Sequence, residues 1–121
     1  MDYINNKKIV NLYKIVWEKH DIISLPKLFH ENIYYNDRNK NIFNGLNEVE
    51  QYWKENSKKQ KDVKFNPLTV LNKNNEIVIQ WEASFYHVMK NKNKVLNGIM
   101  WLKLQDNKII ELLEYFEMDY K

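Results

Sequence analysis

The apolar residues of this chain change their spacing near residue 60, and that change limits the available folds more than any other feature. Before it they recur every three or four positions, the spacing of one helix face; after it they alternate, the spacing of one sheet face. Only two glycines and two prolines interrupt 121 residues, so the elements are long. Helices followed by a long antiparallel meander form an α+β domain, in which one sheet bends around the helices to bury a common face.

The spacing predicts a helix over 5–19, with Ile9, Leu12, Tyr13, Val16 and Trp17 on one face. A second, short helix is predicted over 21–30, with Ser24 before Leu25-Pro26 as an alternative N-cap. Residues 33–37 read as a short strand, and 36–41 as a polar turn ending at Gly45. Asn47 with Glu50 forms a capping-box pattern for a third helix running to about residue 58. Strands are predicted over 62–72, 76–88, 95–105 and 108–118. Pro67 marks an edge or a bulge, and turns are expected at 72–75 and 105–108. The predicted order is α-α-β-α-β-β-β-β, as one domain over 1–121.

Composition removes several function classes. The absence of cysteine excludes disulfides, thiol nucleophiles and thiolate metal sites. No apolar run approaches the roughly 20 residues of a membrane helix, and MDYINNKK lacks the apolar core of a signal peptide. The expectation is a soluble, cytoplasmic protein without a membrane partner. The net charge is +3, and lysine outnumbers arginine 18 to 1. The lysine runs 58–61 and 90–94 lack interleaved aromatics, so no nucleic-acid partner is expected. His20 reads as a helix-end residue, His30 as a surface residue and His87 as a rim residue. Their spacing gives no metal pair, and neither a metal nor a cofactor is expected.

Aromatic residues make up 14 % of the chain, enough for a dense core or for the wall of an apolar pocket. In the strand 76–88 the core face is Ile77, Ile79, Trp81, Ala83, Phe85 and His87. Along 108–118 Ile110, Leu112, Glu114 and Phe116 share a face, opposite Ile109, Glu111, Leu113, Tyr115 and Glu117. Both faces of the last two strands are apolar at their centres, which asks for a cover on the outside. A second copy meeting Ile99, Trp101, Leu113 and Tyr115 is the simplest one. Glu114 stands out on the core face: either it reaches solvent at a rim or bulge, or it is a pocket carboxyl with a raised pKa.

Several segments carry a resemblance: LFHENIYYND at 28–37, Phe43-Asn44-Gly45, Val49 to Trp53, Asn75 to Trp81, and Asn107 to Glu111, ending at Glu114-Tyr115-Phe116. Over essentially its whole length the chain resembles the nuclear transport factor 2-like superfamily, and in particular its SnoaL-like and ketosteroid-isomerase-like small proteins. The resemblance implies a cone: a strongly curved antiparallel sheet wrapped around three N-terminal helices, with a pocket at the open end and a dimer on the outer face. It also implies an aspartate base at Asp37 and an oxyanion-binding tyrosine at Tyr13. The position of the second oxyanion donor falls on Met100, which cannot donate a hydrogen bond.

Two readings of these residues stand open. In one, a homodimer binds a small apolar molecule in a pocket walled by Trp17, Phe29, Tyr35, Tyr52, Trp53, Trp81, Phe85, Met100, Leu102 and Phe116. Asp37, Tyr13 and Glu114 then supply acid–base chemistry without a cofactor, as in isomerisation, cyclisation or dehydration. In the other, the same fold is a non-enzymatic binding or interaction module, with Asp37 a turn residue and Tyr13 a core tyrosine. A cavity below about 300 Å3 would mean instead that the aromatics fill a closed core.

Overall fold

In a computed structural model of the chain, residues 3–38 and 41–120 are described. Helix α1 (Tyr3–Lys19) buries Ile9, Val10, Tyr13 and Val16. The helix predicted over 21–30 divides into a 3-10 turn (Ile22–Ser24) and a single turn of α-helix, α2 (Leu25–Leu28). Asp21 explains the break. Its carboxylate accepts from the Ser24 N–H at 3.3 Å and from the Ser24 hydroxyl at 2.6 Å, so that hydroxyl caps nothing. Phe29 is already extended and opens β1 (Phe29–Asn36).

The sequence pattern misses β2 (Ile42–Asn44), which pairs antiparallel with Tyr34–Asn36 inside what reads as a polar connection. Asn39 and Lys40 of that predicted turn lie outside the described residues. Helix α3 (Leu46–Lys59) starts on Gly45 rather than Asn47, since Gly45 has φ +92 and its N–H donates to the Ile33 carbonyl at 2.8 Å. Glu48, not Glu50, reaches back over the helix start and accepts from the Asn44 N–H at 2.9 Å.

Four long strands follow: β3 (Gln60–Lys73), β4 (Glu76–His87), β5 (Lys92–Gln105) and β6 (Lys108–Tyr120). The sheet order is β2-β1-β6-β5-β4-β3, curved and unclosed, with only the β1–β6 pair parallel. The hairpin turns use left-handed residues, Asn74 before β4 and Asp106 with Asn107 before β6. Pro67 lies on the edge strand β3 beside a register shift, where its missing N–H costs no sheet bond. The same edge is closed at Phe65, whose N–H donates to Glu18 at 2.8 Å and whose carbonyl accepts from Lys14 at 2.7 Å.

The core face of β4 matches its alternation from Ile77 to Phe85, while His87 is half-buried at the strand end. On β6 the alternation fails at one place. The β5–β6 register shifts between Lys103↔Glu111 and Leu104↔Ile109, so Ile109 rather than Ile110 is fully buried. Beyond the bulge the phase is as expected, and Leu112 and Glu114 point inward. Among the described residues no helix is long and apolar enough to cross a membrane.

Candidate functional site

The inside of the curved sheet and the helices above it leave a small chamber of about 60 Å3. Helix α1 and the residue after it contribute Tyr13, Trp17 and His20; β1 contributes Tyr35; α3 contributes Tyr52, Trp53 and Asn56. The long strands add Gln60, Trp81, Leu96, Glu114 and Phe116. The rings meet mostly edge to face: Tyr13 packs on Trp53 at 5.6 Å between centroids, and Tyr35 on Tyr52 at 5.8 Å. Ligand sites usually enclose roughly 300–1,000 Å3, so this chamber alone is small and its aromatics fill most of the core.

A larger space of about 440 Å3 adjoins it and shares Tyr52, Asn56, Gln60, Leu96 and Phe116 with it. This vestibule is walled by Asp37, Asn41, Lys59, Phe85, His87, Lys94 and Met118 as well. It is polar where the chamber is aromatic. The chamber lies between α1, α3 and the inner faces of β4, β5 and β6, and the vestibule between α3 and the same three strands.

Glu114 is 7 % exposed in the chamber, and burial, with the negative charge of Asp37, pushes its carboxyl up to about 8. It is therefore mainly protonated at neutral pH. The hydroxyls of Tyr13 and Tyr35 are held well above the ordinary tyrosine range, first by burial and then by charges that include Glu114. Tyr52 is raised too, mostly by burial, with Glu114 and Asp37 adding to it. These tyrosines stay neutral donors. Tyr13 and Tyr35 are hydrogen-bonded to each other, and the Tyr52 hydroxyl donates to Asp37 at 3.4 Å.

Asp37 closes β1 and is 2 % exposed. Asn41 binds it twice, its N–H at 3.1 Å on one oxygen and its side-chain amide at 2.6 Å on the other. The turn role and the buried position thus belong to the same residue. Met100 is fully buried and lies directly opposite Glu114 in the β5–β6 register. Glu114 on β6 is thus the carboxyl that stands beside Met100 of the neighbouring strand.

Of the predicted wall, Trp17, Tyr35, Tyr52, Trp53, Trp81 and Phe116 line the chamber, together with Tyr13 and Glu114. Phe85 lines only the vestibule. Phe29, Met100 and Leu102 line neither space: they are fully buried, their side chains consumed by packing within the core. The pattern missed His20, Asn56, Gln60 and Leu96 in the chamber wall. His20 looks like a helix-end residue, and only its left-handed backbone, φ +49, turns it back toward Gln60 at the start of β3. Among the described residues no group of three or more His, Asp or Glu is placed to hold a metal ion.

On the outer sheet face Ile99, Trp101 and Tyr115 are exposed and Leu113 is half-buried. The register places Trp101 opposite Leu113 and Ile99 opposite Tyr115, so the four form one patch. The Trp101 indole N–H donates to Glu76 at 2.8 Å, and the Arg38 guanidinium lies 5.3 Å over the Tyr115 ring.

Solved structures with this fold are numerous. The enzyme SalBIII, described as epoxide hydrolase/cyclase-like and linked to pyran-ring formation in the polyether salinomycin, superposes with a TM-score of 0.86 at 16 % identity, over 99 % of this chain and 98 % of its own. An LEH-like epoxide hydrolase from M. tuberculosis gives 0.79 at 7 % identity, over 91 % and 80 %. A protein of ketosteroid isomerase-like fold from Catenulispora acidiphila, solved with trimethylamine, gives 0.80 at 13 % identity, over 88 % and 83 %. At these identities the likeness is one of fold. No curated protein matches the sequence. The family model for the SnoaL-like domain, however, matches residues 9–112, most of the chain, and with the three-helix, curved-sheet architecture it shows that the protein belongs to the SnoaL-like domain family.

Proposed function

We propose that this protein is a cofactor-independent acid–base enzyme acting on a small, mostly apolar carbonyl-type molecule, by isomerisation, cyclisation or dehydration. The observation that carries this reading is the pair of buried carboxyls, Asp37 and Glu114, at two joined spaces lined by tyrosine hydroxyls. Burial and the Asp37 charge leave one proton on Glu114 at neutral pH. A neutral carboxylic acid donates a hydrogen bond, or a proton, to an oxygen that gains negative charge in the transition state. Tyr13 supplies a second donor. Asp37 is the base for a substrate that spans chamber and vestibule.

The test is exchange of the α-protons of cyclohexanone in D2O, followed by NMR. Glu114→Gln should slow the catalysed exchange about 10²–10⁴-fold, and Asp37→Asn should do so for ketones long enough to reach the vestibule. Exchange at the uncatalysed rate with the wild-type protein, over a panel of small ketones, would remove the enzymatic reading. The small chamber volume favours a second reading, that of a binding module whose core is largely closed and whose ligand stays in the vestibule. Saturable ketone binding without exchange would select it.

The outer patch of Ile99, Trp101, Leu113 and Tyr115 supports a homodimer with the two sheets packed face to face. Burying it gains roughly 25 cal/mol per Å2 of apolar surface before association costs. Trp101→Glu is expected to give a folded monomer by light scattering at micromolar concentration. A wild-type monomer, or a dimeric mutant, would refute this interface.

A further inference from the structure

We infer that His20 is the proton acceptor of the inner chamber, its Nε2 working together with the Glu114 carboxyl on an uncharged carbonyl substrate that enters no further than the space between them. This rests on the acid–base reading above and adds to it the base used inside the chamber.

Three observations support it. His20 and Glu114 both line the chamber, whereas Asp37 lines only the vestibule. Asp37 also has both carboxylate oxygens engaged, by Asn41 and Tyr52. The Nε2 atom of His20, by contrast, is buried and has no hydrogen-bond partner among the described residues. Buried side-chain nitrogens without a partner are uncommon and call for an explanation. In the Nδ1–H tautomer the neutral ring carries its lone pair on Nε2.

Burial holds the imidazole below its ordinary pKa, the Gln60 carbonyl opposing only in part, so the neutral form is present at physiological pH. Other titratable groups on the chamber are Tyr13, Tyr35, Tyr52 and Glu114, the tyrosines and Glu114 all being raised. The chamber wall thus carries both a neutral acid and a neutral base. Such a pair suits an uncharged substrate, because no charge has to be desolvated on binding.

The step balances without a co-reactant. His20 Nε2 takes a proton from the carbon next to the carbonyl. The electrons of that C–H bond form the C=C bond of an enol, and the carbonyl oxygen takes the Glu114 proton. Imidazolium and carboxylate arise together and attract each other across the chamber. On return the imidazolium protonates a carbon of the enol system and Glu114 recovers its proton from the enol hydroxyl, so that the net change is a relocated proton.

His20→Asn tests this. Asparagine tolerates the left-handed backbone at this position and keeps an N–H donor for Gln60, but it is no base. Cyclohexanone exchange should fall about 10²-fold or more with His20→Asn, with far-UV circular dichroism and thermal midpoint retained. Histidine-labelled NMR should show Nε2 unprotonated at pH 7 and the ring protonating below the ordinary histidine value. Exchange that depends on Glu114 but not on His20, or a His20 whose proton lies on Nε2, would overturn the inference while leaving the acid–base reading in place. Loss with neither variant would overturn both. If His20→Asn misfolds, His20→Gln with the same NMR readout on the wild type decides the matter.

Discussion

Replacing Glu114 by glutamine is expected to make the protein more stable and less dependent on pH. In the folded state Glu114 titrates at about 8, because burial and the Asp37 charge disfavour its carboxylate, whereas in the unfolded chain it returns to the ordinary value of 4.5. Between those two values the folded state holds a proton that the unfolded state has released. Stability is therefore greatest, as far as this group is concerned, below pH 4.5, and is lost as pH rises through the window toward 8. Above 8 the loss levels off. Each pH unit within the window is worth about 1.4 kcal/mol, so the penalty at pH 7 is on the order of 3 kcal/mol. Glutamine has nearly the same shape and never ionises. Urea denaturation of the wild type at a series of pH values should show a falling stability from pH 5 to 8, and Glu114→Gln should remove most of that slope. Identical slopes for the two proteins would show that Glu114 is not desolvated in the folded state. The same substitution abolishes the proposed proton transfer, which makes Glu114 a residue held at a cost to the fold.

Gly98→Ala is expected to destabilise the protein by roughly 3 kcal/mol, near the upper end for overpacking, with a fall in thermal midpoint of about 10 °C. Gly98 sits on β5 between Trp81 on β4 and Phe116 on β6, its two register partners. A Cβ there would lie 2.4 Å from the Tyr115 carbonyl oxygen, 2.8 Å from the Phe116 Cβ and 3.0 Å from a Trp81 ring carbon. The first of these is backbone and cannot rotate away. The sheet would have to open where Trp81 and Phe116 form part of the chamber wall, so the site is disturbed along with the fold. Gly45→Ala makes a useful contrast: its Cβ meets nothing closer than 3.7 Å, and the loss there comes from the positive φ alone, roughly 1 kcal/mol. A Gly98→Ala protein with the wild-type midpoint would mean that the sheet is less tightly bent at this point than described.

Much of this architecture is legible in the amino-acid order, because it depends on periodicity and on turn residues, which are local. The change of spacing near residue 60, the long hairpins and the edge position of Pro67 all follow from it. So does the inward phase of Glu114, since alternation resumes after the bulge at Ile110. Local pattern could not supply β2, whose three residues become a strand only by pairing with β1. Nor could it show that Asp21 ties up Ser24 and cuts a predicted helix short. The candidate site divides the same way. The family resemblance brings Tyr13 and Asp37 forward and the strand alternation brings Glu114 forward, but burial and proximity decide the electrostatics of Tyr13 and Glu114. Phe29, Met100 and Leu102 are indistinguishable from wall residues by type, yet all three are fully buried and line neither the chamber nor the vestibule. His20 was hidden for the opposite reason. It stands 40 residues from Gln60 in the chain, and one left-handed residue at the end of α1 brings its ring to the start of β3. Periodicity determines which face a side chain shares with its near neighbours, whereas a pocket is made where faces from distant segments converge, and that convergence exists only in the tertiary structure.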